Sequence, residues 1–174
     1  QTACLAGTYN ANTGSTTSSD CLDAEAGHYV DSTGSDSQTE CAVGTYQSST
    51  GQESCLDAEA GHYVDSTGSD SQTECSVGTY QSLTGQSSCE SAEAGYYVDS
   101  TGSDSQTECA VGTYQSTTAQ TSCESADAGY YVDSTGSDSQ TECSVGTYQS
   151  STGQEFCLDA DAGHYVDSTG SDSQ

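Results

Sequence analysis

The residues best placed to do chemistry are ten cysteines, and the chemistry their spacing suits is oxidation to disulfides. From Cys21 onward the separations alternate between 20 and 14, through Cys41, Cys55, Cys75, Cys89, Cys109, Cys123, Cys143 and Cys157, with Cys4 ahead of them. A thiol set of this density needs an oxidising compartment, so the sequence predicts a secreted or surface-exposed protein.

A second chemistry lies in the acids. The segment Tyr-Val-Asp-Ser-Thr-Gly-Ser-Asp-Ser-Gln recurs at 29–38, 63–72, 97–106, 131–140 and 165–174, and each complete copy continues Thr-Glu-Cys. Its carboxylates are hard oxygen donors carried on a turn, which is what Ca2+ requires. The candidate ligands are Asp31, Asp36 and Glu40, then Asp65, Asp70 and Glu74, Asp99, Asp104 and Glu108, and Asp133, Asp138 and Glu142, with Asp23 and Glu25 near the first set. The functional reading is one calcium site per repeat, replacing a missing disulfide; the plainer reading is a solvated acidic loop copied by duplication. The segment lacks the Asp-x-Asp-x-Asp-Gly core of an EF-hand loop.

Other chemistries are excluded by composition. With 27 Asp and Glu and no Lys or Arg, the chain has nothing to neutralise phosphates, so nucleic acid is not a partner. No apolar run is long enough to span a bilayer, so membrane insertion is not expected of this segment. No nucleophile, base and orienting group are grouped as catalysis requires, and neither a phosphate-cradling loop nor a zinc pattern is present, so an enzyme is not expected. Only 30% of residues are hydrophobic, and a net charge of −27 would by itself predict disorder; cysteine pairing is what argues against it.

Repetition sets the architecture. The period is 34, and inside it lies a 17-residue half-repeat marked by Gly27, Gly44, Gly61, Gly78, Gly95, Gly112, Gly129, Gly146 and Gly163, each followed two residues later by Tyr. A second series runs Gly34, Gly51, Gly68, Gly85, Gly102, Ala119, Gly136, Gly153 and Gly170. The pattern predicts a small disulfide-rich all-β fold, an elongated tandem array of short β-hairpins. Each hairpin has a strand through the Tyr, a tight turn at the second Gly and a short return strand. Glycine supplies positive φ at such a turn, so Ala119 should hold the most strained one. The repeats divide as 1–37 (with a three-residue insertion), 38–71, 72–105, 106–139 and 140–174. The array is expected to continue, because Gln1 is in register with Gln38 and Gln174 with Gln140.

The 17-residue register also predicts the pairing. In alternate half-repeats both cysteine slots are vacated together, Cys41 and Cys55 giving way to Ala58 and Gln72, as expected if residues 14 apart bond to each other. The predicted disulfides are Cys41–Cys55, Cys75–Cys89, Cys109–Cys123 and Cys143–Cys157, with Cys4–Cys21 the same staple around a longer loop. The rival scheme, Cys21 with Cys41 and onward, leaves Cys4 and Cys157 to bond elsewhere. Closing a loop of about 15 residues stabilises by roughly 3 kcal/mol, so five staples could replace a core.

With Cys-x-x-Gly-Thr-Tyr-Gln, then Thr-Gly-Gln, then Cys-x-x-Ala-x-x-Gly-x-Tyr, the chain resembles the ephrin-receptor-like cysteine-rich repeats, cousins of growth-factor-receptor and EGF-like modules. The family's unit has Cys-x-x-Cys between successive hairpins. Here Ala24, Ala58, Ala92, Ala126 and Ala160 stand at the second Cys, and Gln38, Gln72, Gln106, Gln140 and Gln174 at the first Cys of the next unit. The resemblance implies an extracellular, elongated, noncatalytic protein.

Ser and Thr make up about a third of the chain, a density that permits O-glycosylation in a secreted protein. The candidate acceptors are Thr16, Thr17, Ser48, Ser49, Thr50, Thr84, Thr117, Thr118, Ser151 and Thr152; no Asn-x-Ser/Thr sequon exists. The repeated tyrosines are expected to pack as an aromatic ladder. His28, His62 and His164 share a slot that Tyr96 and Tyr130 fill elsewhere, a swap no ligand or catalytic role would tolerate. The function expected is a structural rod or fibre outside the cell, a filament, sheath or appendage subunit that self-associates and carries glycans. The alternatives are the stalk of a surface receptor or adhesin and an acidic calcium- or mineral-binding matrix protein.

Overall fold

The computed structural model describes residues 2–174. Among them the regular structure is almost entirely β. Nine two-stranded antiparallel hairpins are built from two-residue strands, and a single 3-10 turn occurs at Ser18–Asp20. Each outgoing strand carries the repeated Tyr beside a Thr, His or Tyr, residue types that suit a half-buried pleat.

The hairpins fall into two compact units. The first holds the described residues through Cys75 together with Gln81–Cys89. Its pairs are Thr8–Tyr9 with Leu22–Asp23, His28–Tyr29 with Thr39–Glu40, Thr45–Tyr46 with Leu56–Asp57, and His62–Tyr63 with Thr73–Glu74. The second holds Ser76–Tyr80 and Glu90–Gln174. Its pairs run from Thr79–Tyr80 with Glu90–Ser91 to Thr147–Tyr148 with Leu158–Asp159. The strands do not meet at a tight turn as expected. The turn glycine sits inside a longer loop, because the segment between the paired strands must also reach the next half-repeat.

That reach is a backbone ladder. In the first unit the Gly27 N–H donates to the Gln47 carbonyl (2.7 Å), Val30 N–H to Gln52 (3.0 Å), and Gly51 N–H back to Ala24 (2.8 Å). One half-repeat later the same three bonds recur, from Gly44 to Val64 (2.8 Å), Gln47 to Ser69 (3.1 Å) and Gly68 to Cys41 (2.9 Å). The second unit repeats the set, for example Gly129 to Gln149 (2.7 Å), Val132 to Gln154 (3.0 Å) and Gly153 to Ala126 (2.8 Å). The ladder satisfies groups that two-residue strands leave unpaired.

It also explains the first glycine series. A Cβ on Gly44 would lie 2.2 Å from the Gly85 carbonyl oxygen, so the two backbones approach too closely for any side chain. At the second series the reason is conformation: Gly153 has φ of 70°. Ala119, alone among the non-glycine described residues, holds a positive φ, 60°, which bears out the expectation for that turn.

Little of the core is large. The fully buried side chains are Cys41, Cys75, Cys109 and Cys143 with the small Ala24, Ala58, Ala92 and Ala126. Val30, Val64, Val98 and Val132 fill one further slot, and Gln47, Gln81, Gln115 and Gln149 occupy the equivalent slot of the alternate halves. The tyrosines are half-buried, except Tyr165, which is 79% exposed.

Candidate functional site

Two kinds of closure alternate along the chain, and they are where side chains do something specific. In the first kind the staple forms as the register predicts: Cys41–Cys55, Cys75–Cys89, Cys109–Cys123 and Cys143–Cys157, each 14 residues apart. Cys4–Cys21 spans 17 residues, and no cysteine is free. The rival scheme is thereby set aside.

Inside each of the four loops whose cysteines are 14 apart a buried glutamine completes the fold. Gln47 donates through Nε2 to the Ser54 carbonyl (2.9 Å), while its Oε1 accepts the Ser49 N–H (3.1 Å). Gln81, Gln115 and Gln149 do the same in their loops. A buried amide left without partners would be costly, and here both ends are used. A second glutamine, Gln52, donates to the Thr50 carbonyl (3.1 Å) and braces the turn.

The other kind of closure has no cysteine. Ala58 is fully buried in the first staple slot, and Gln72 stands in the second. Gln72 accepts the Glu59 N–H through Oε1 (2.7 Å) and donates through Nε2 to the Glu59 carboxylate (3.2 Å). The same clamp joins Gln38 to Glu25, Gln106 to Glu93, Gln140 to Asp127 and Gln174 to Asp161. This two-point bond bridges the unstapled half-repeat, the place for which one of the two sequence readings offered a metal. Sequence reasoning read the glutamine as a lost cysteine and missed the clamp. The signal was present in the acid that recurs 13 residues before every such glutamine, as Glu or as Asp.

The candidate metal ligands are not brought together. Among the described residues no group of three or more His, Cys, Asp or Glu converges as a metal ion would need. Asp31 accepts the Ser32 hydroxyl (2.8 Å), Asp36 the Ser37 hydroxyl (3.0 Å) and Glu40 the Thr67 hydroxyl (3.0 Å). The pattern holds at Asp65, Asp70, Asp99, Asp104, Asp133 and Asp138, each bonded to the serine that follows it. Glu108 and Glu142 instead face the Tyr96 and Tyr130 phenols at 3.4 and 3.2 Å.

Those pairings mark the electrostatics. The Glu108 carboxylate, helped by partial desolvation and the hydrogen bond, holds the Tyr96 phenol above its ordinary value, and Glu142 does the same to Tyr130. For Tyr80 and Tyr114 burial is the larger cause of a rise, with Glu90 and Glu124 adding to it. In the inserted loop the Thr17 and Thr16 N–H groups donate to Asp20 and lower its carboxyl.

Of the candidate hydroxyls, Thr17 is paired with Ser19 (2.7 Å) and Thr117 donates to Gln115 (3.0 Å). Thr16, Ser48, Ser49, Thr50, Thr84, Thr118, Ser151 and Thr152 are exposed.

A family model described as tyrosine-protein kinase ephrin type A/B receptor-like matches residues 27–75, 61–109 and 129–174, well over half of the chain. No curated protein matches it.

Proposed function

The chain belongs to the ephrin type A/B receptor-like repeat family, and from that premise we propose that it is a noncatalytic stretch of a cell-surface or extracellular protein that sets distance. Disulfide-rich repeats of this kind point to the outside of the cell. The observation that carries the spacer reading is the ladder. Each half-repeat spends its backbone donors and acceptors on its neighbour, so a further half-repeat adds length without reorganising what precedes it. The chemistry of the interior agrees. Buried side chains among the described residues are Ala, Val, Cys and Gln, so no acid, histidine or hydroxyl nucleophile is enclosed for catalysis.

The receptor-type ectodomain stalk is the form the family match favours. Self-association into a filament, sheath or appendage is the stronger form, and one observation favours it. It is the recurrence of an exposed valine at one slot of the second unit, Val77, Val111 and Val145.

Small-angle scattering and negative-stain imaging of the oxidised chain test both forms. A radius of gyration well above the roughly 16 Å of a globular chain of this length, rising with added repeats, is expected. A value near 16 Å sinks the spacer. Long uniform fibres in the same sample would support the filament, and isolated particles at all concentrations would remove it.

A further inference from the structure

In a chain with 27 acids and no base, the turns of the four loops whose cysteines are 14 apart carry no acid between their two glutamines. They read Gln47-Ser-Ser-Thr-Gly-Gln52, Gln81-Ser-Leu-Thr-Gly-Gln86, Gln115-Ser-Thr-Thr-Ala-Gln120 and Gln149-Ser-Ser-Thr-Gly-Gln154. Each has one Thr at the same place: Thr50, Thr84, Thr118 and Thr152, all exposed, with no hydrogen-bond partner for the hydroxyl in the structure.

The backbone that carries these threonines is held from both sides. The first glutamine's Oε1 accepts the N–H one residue before the Thr, at 3.1 Å for Ser49 and 3.0 Å for Leu83. The last glutamine's Nε2 donates to the Thr carbonyl at 3.0–3.1 Å in all four loops. The result is a fixed loop, locked at its base by a disulfide, with a free secondary hydroxyl at its outer edge.

The acidic turns of the alternate halves differ in their charge and in their serines. Ser32 donates to Asp31 (2.8 Å), Ser35 to the Ser32 carbonyl (2.9 Å) and Ser37 to Asp36 (3.0 Å), so the serine hydroxyls are spent within the turn. The threonine there lies between two aspartates; Thr67 is taken by Glu40, whereas Thr33, Thr101 and Thr135 are exposed with free hydroxyls, so the flanking carboxylates are what set these turns apart.

We propose that Thr50, Thr84, Thr118 and Thr152 are acceptor sites for O-linked glycosylation, and that the Asp-Ser-Thr-Gly-Ser-Asp turns are not. The donor is a nucleotide sugar. The threonine Oγ1 bonds to the anomeric carbon, the bond from that carbon to the nucleoside diphosphate breaks, and the hydroxyl proton passes to the transferase's base; nothing is oxidised or reduced. Because the donor's diphosphate is anionic, turns with no nearby carboxylate (Thr84, Thr118) or with one on one side (Glu53 after Thr50, Glu155 after Thr152) admit it where a turn flanked by two aspartates repels it. One sugar on each of these four loops would place glycans 34 residues apart in sequence, between unmodified acidic turns.

The proposal rests on the extracellular reading, and one experiment separates the two. Protein isolated from the cells that make it is digested at its glutamates, trypsin having no site, and mapped by electron-transfer fragmentation with thiols counted in parallel. Sugar masses on the four threonines and none on Thr33, Thr67, Thr101 or Thr135 are expected. A Thr50→Val chain secreted from the same cells should lose one glycan and keep its disulfides. Intact disulfides with a bare peptide mass, or sugar spread evenly over both turn types, overturns the glycosylation proposal alone. Free thiols overturn the extracellular reading and the proposal with it.

Discussion

The loop closed by Cys41–Cys55 and the loop closed by Gln72 on Glu59 share one backbone register and reach it by unequal means. A disulfide around a loop of that length is worth roughly 3 kcal/mol through the entropy of the unfolded chain. Two hydrogen bonds on a half-buried glutamine are worth about 1 kcal/mol each. The clamped half is therefore the weaker link, carried by the stapled halves on either side through the ladder. Alternation suffices because each clamped half has a stapled neighbour.

The largest effect should come from removing one staple. Cys109→Ala with Cys123→Ala is expected to cost about 3 kcal/mol, with amide exchange rising in that half-repeat and its ladder partners rather than along the whole chain. A uniform collapse in exchange protection would mean the two closures are not locally distinct. Next in size is the reverse experiment. Ala58→Cys with Gln72→Cys should form a sixth disulfide and gain about 2 kcal/mol in denaturant titration, the clamp's loss offsetting part of the staple. Failure to oxidise would show that the clamped backbone is not the stapled one.

Smaller, and aimed at the clamp itself, Gln72→Leu should cost about 1–2 kcal/mol by leaving the Glu59 N–H and carboxylate unpartnered, whereas the same change at a surface glutamine should cost far less. Ala119→Gly should add about 1 kcal/mol, because it relieves a positive φ in the one stapled loop that lacks the turn glycine.

The smallest effect is on pH. The raised phenols of Tyr96 and Tyr130 bind their protons more tightly folded than unfolded. Their contribution is full below the ordinary tyrosine value, about 10, and is lost as pH rises through the folded value. Tyr96→His and Tyr130→His, the residue found at 28 and 62, should flatten that alkaline limb; phenolate absorbance against pH, read beside thermal unfolding, checks it.

The repeating hairpins and the disulfide pairing were legible because they depend on identities that disappear in step. Cys and Cys vanish together, so their partnership shows without coordinates. Ala119 was legible for a related reason: positive φ is a property of one residue's own backbone. The clamp was not, since glutamine bonds either backbone or side chain and its spacing does not say which. Gln47 was hidden too, because a polar residue in a loop reads as exposed, and only the return of the Ser54 carbonyl toward it makes burial favourable. The acids misled for the opposite reason. Asp31 and Asp36 are close in sequence, yet each is already engaged by the serine beside it.

Within each unit the ladder between half-repeats is made by main-chain atoms alone, with the same three bonds recurring in stapled and clamped halves, as at Gly27, Gly44 and Gly129. A gene that loses or duplicates a multiple of 17 codons within such a unit therefore leaves its junctions with the same donors facing the same acceptors. Slippage during replication becomes a way of changing reach without inventing a new contact, and selection can act on length as a single adjustable quantity while individual side chains drift.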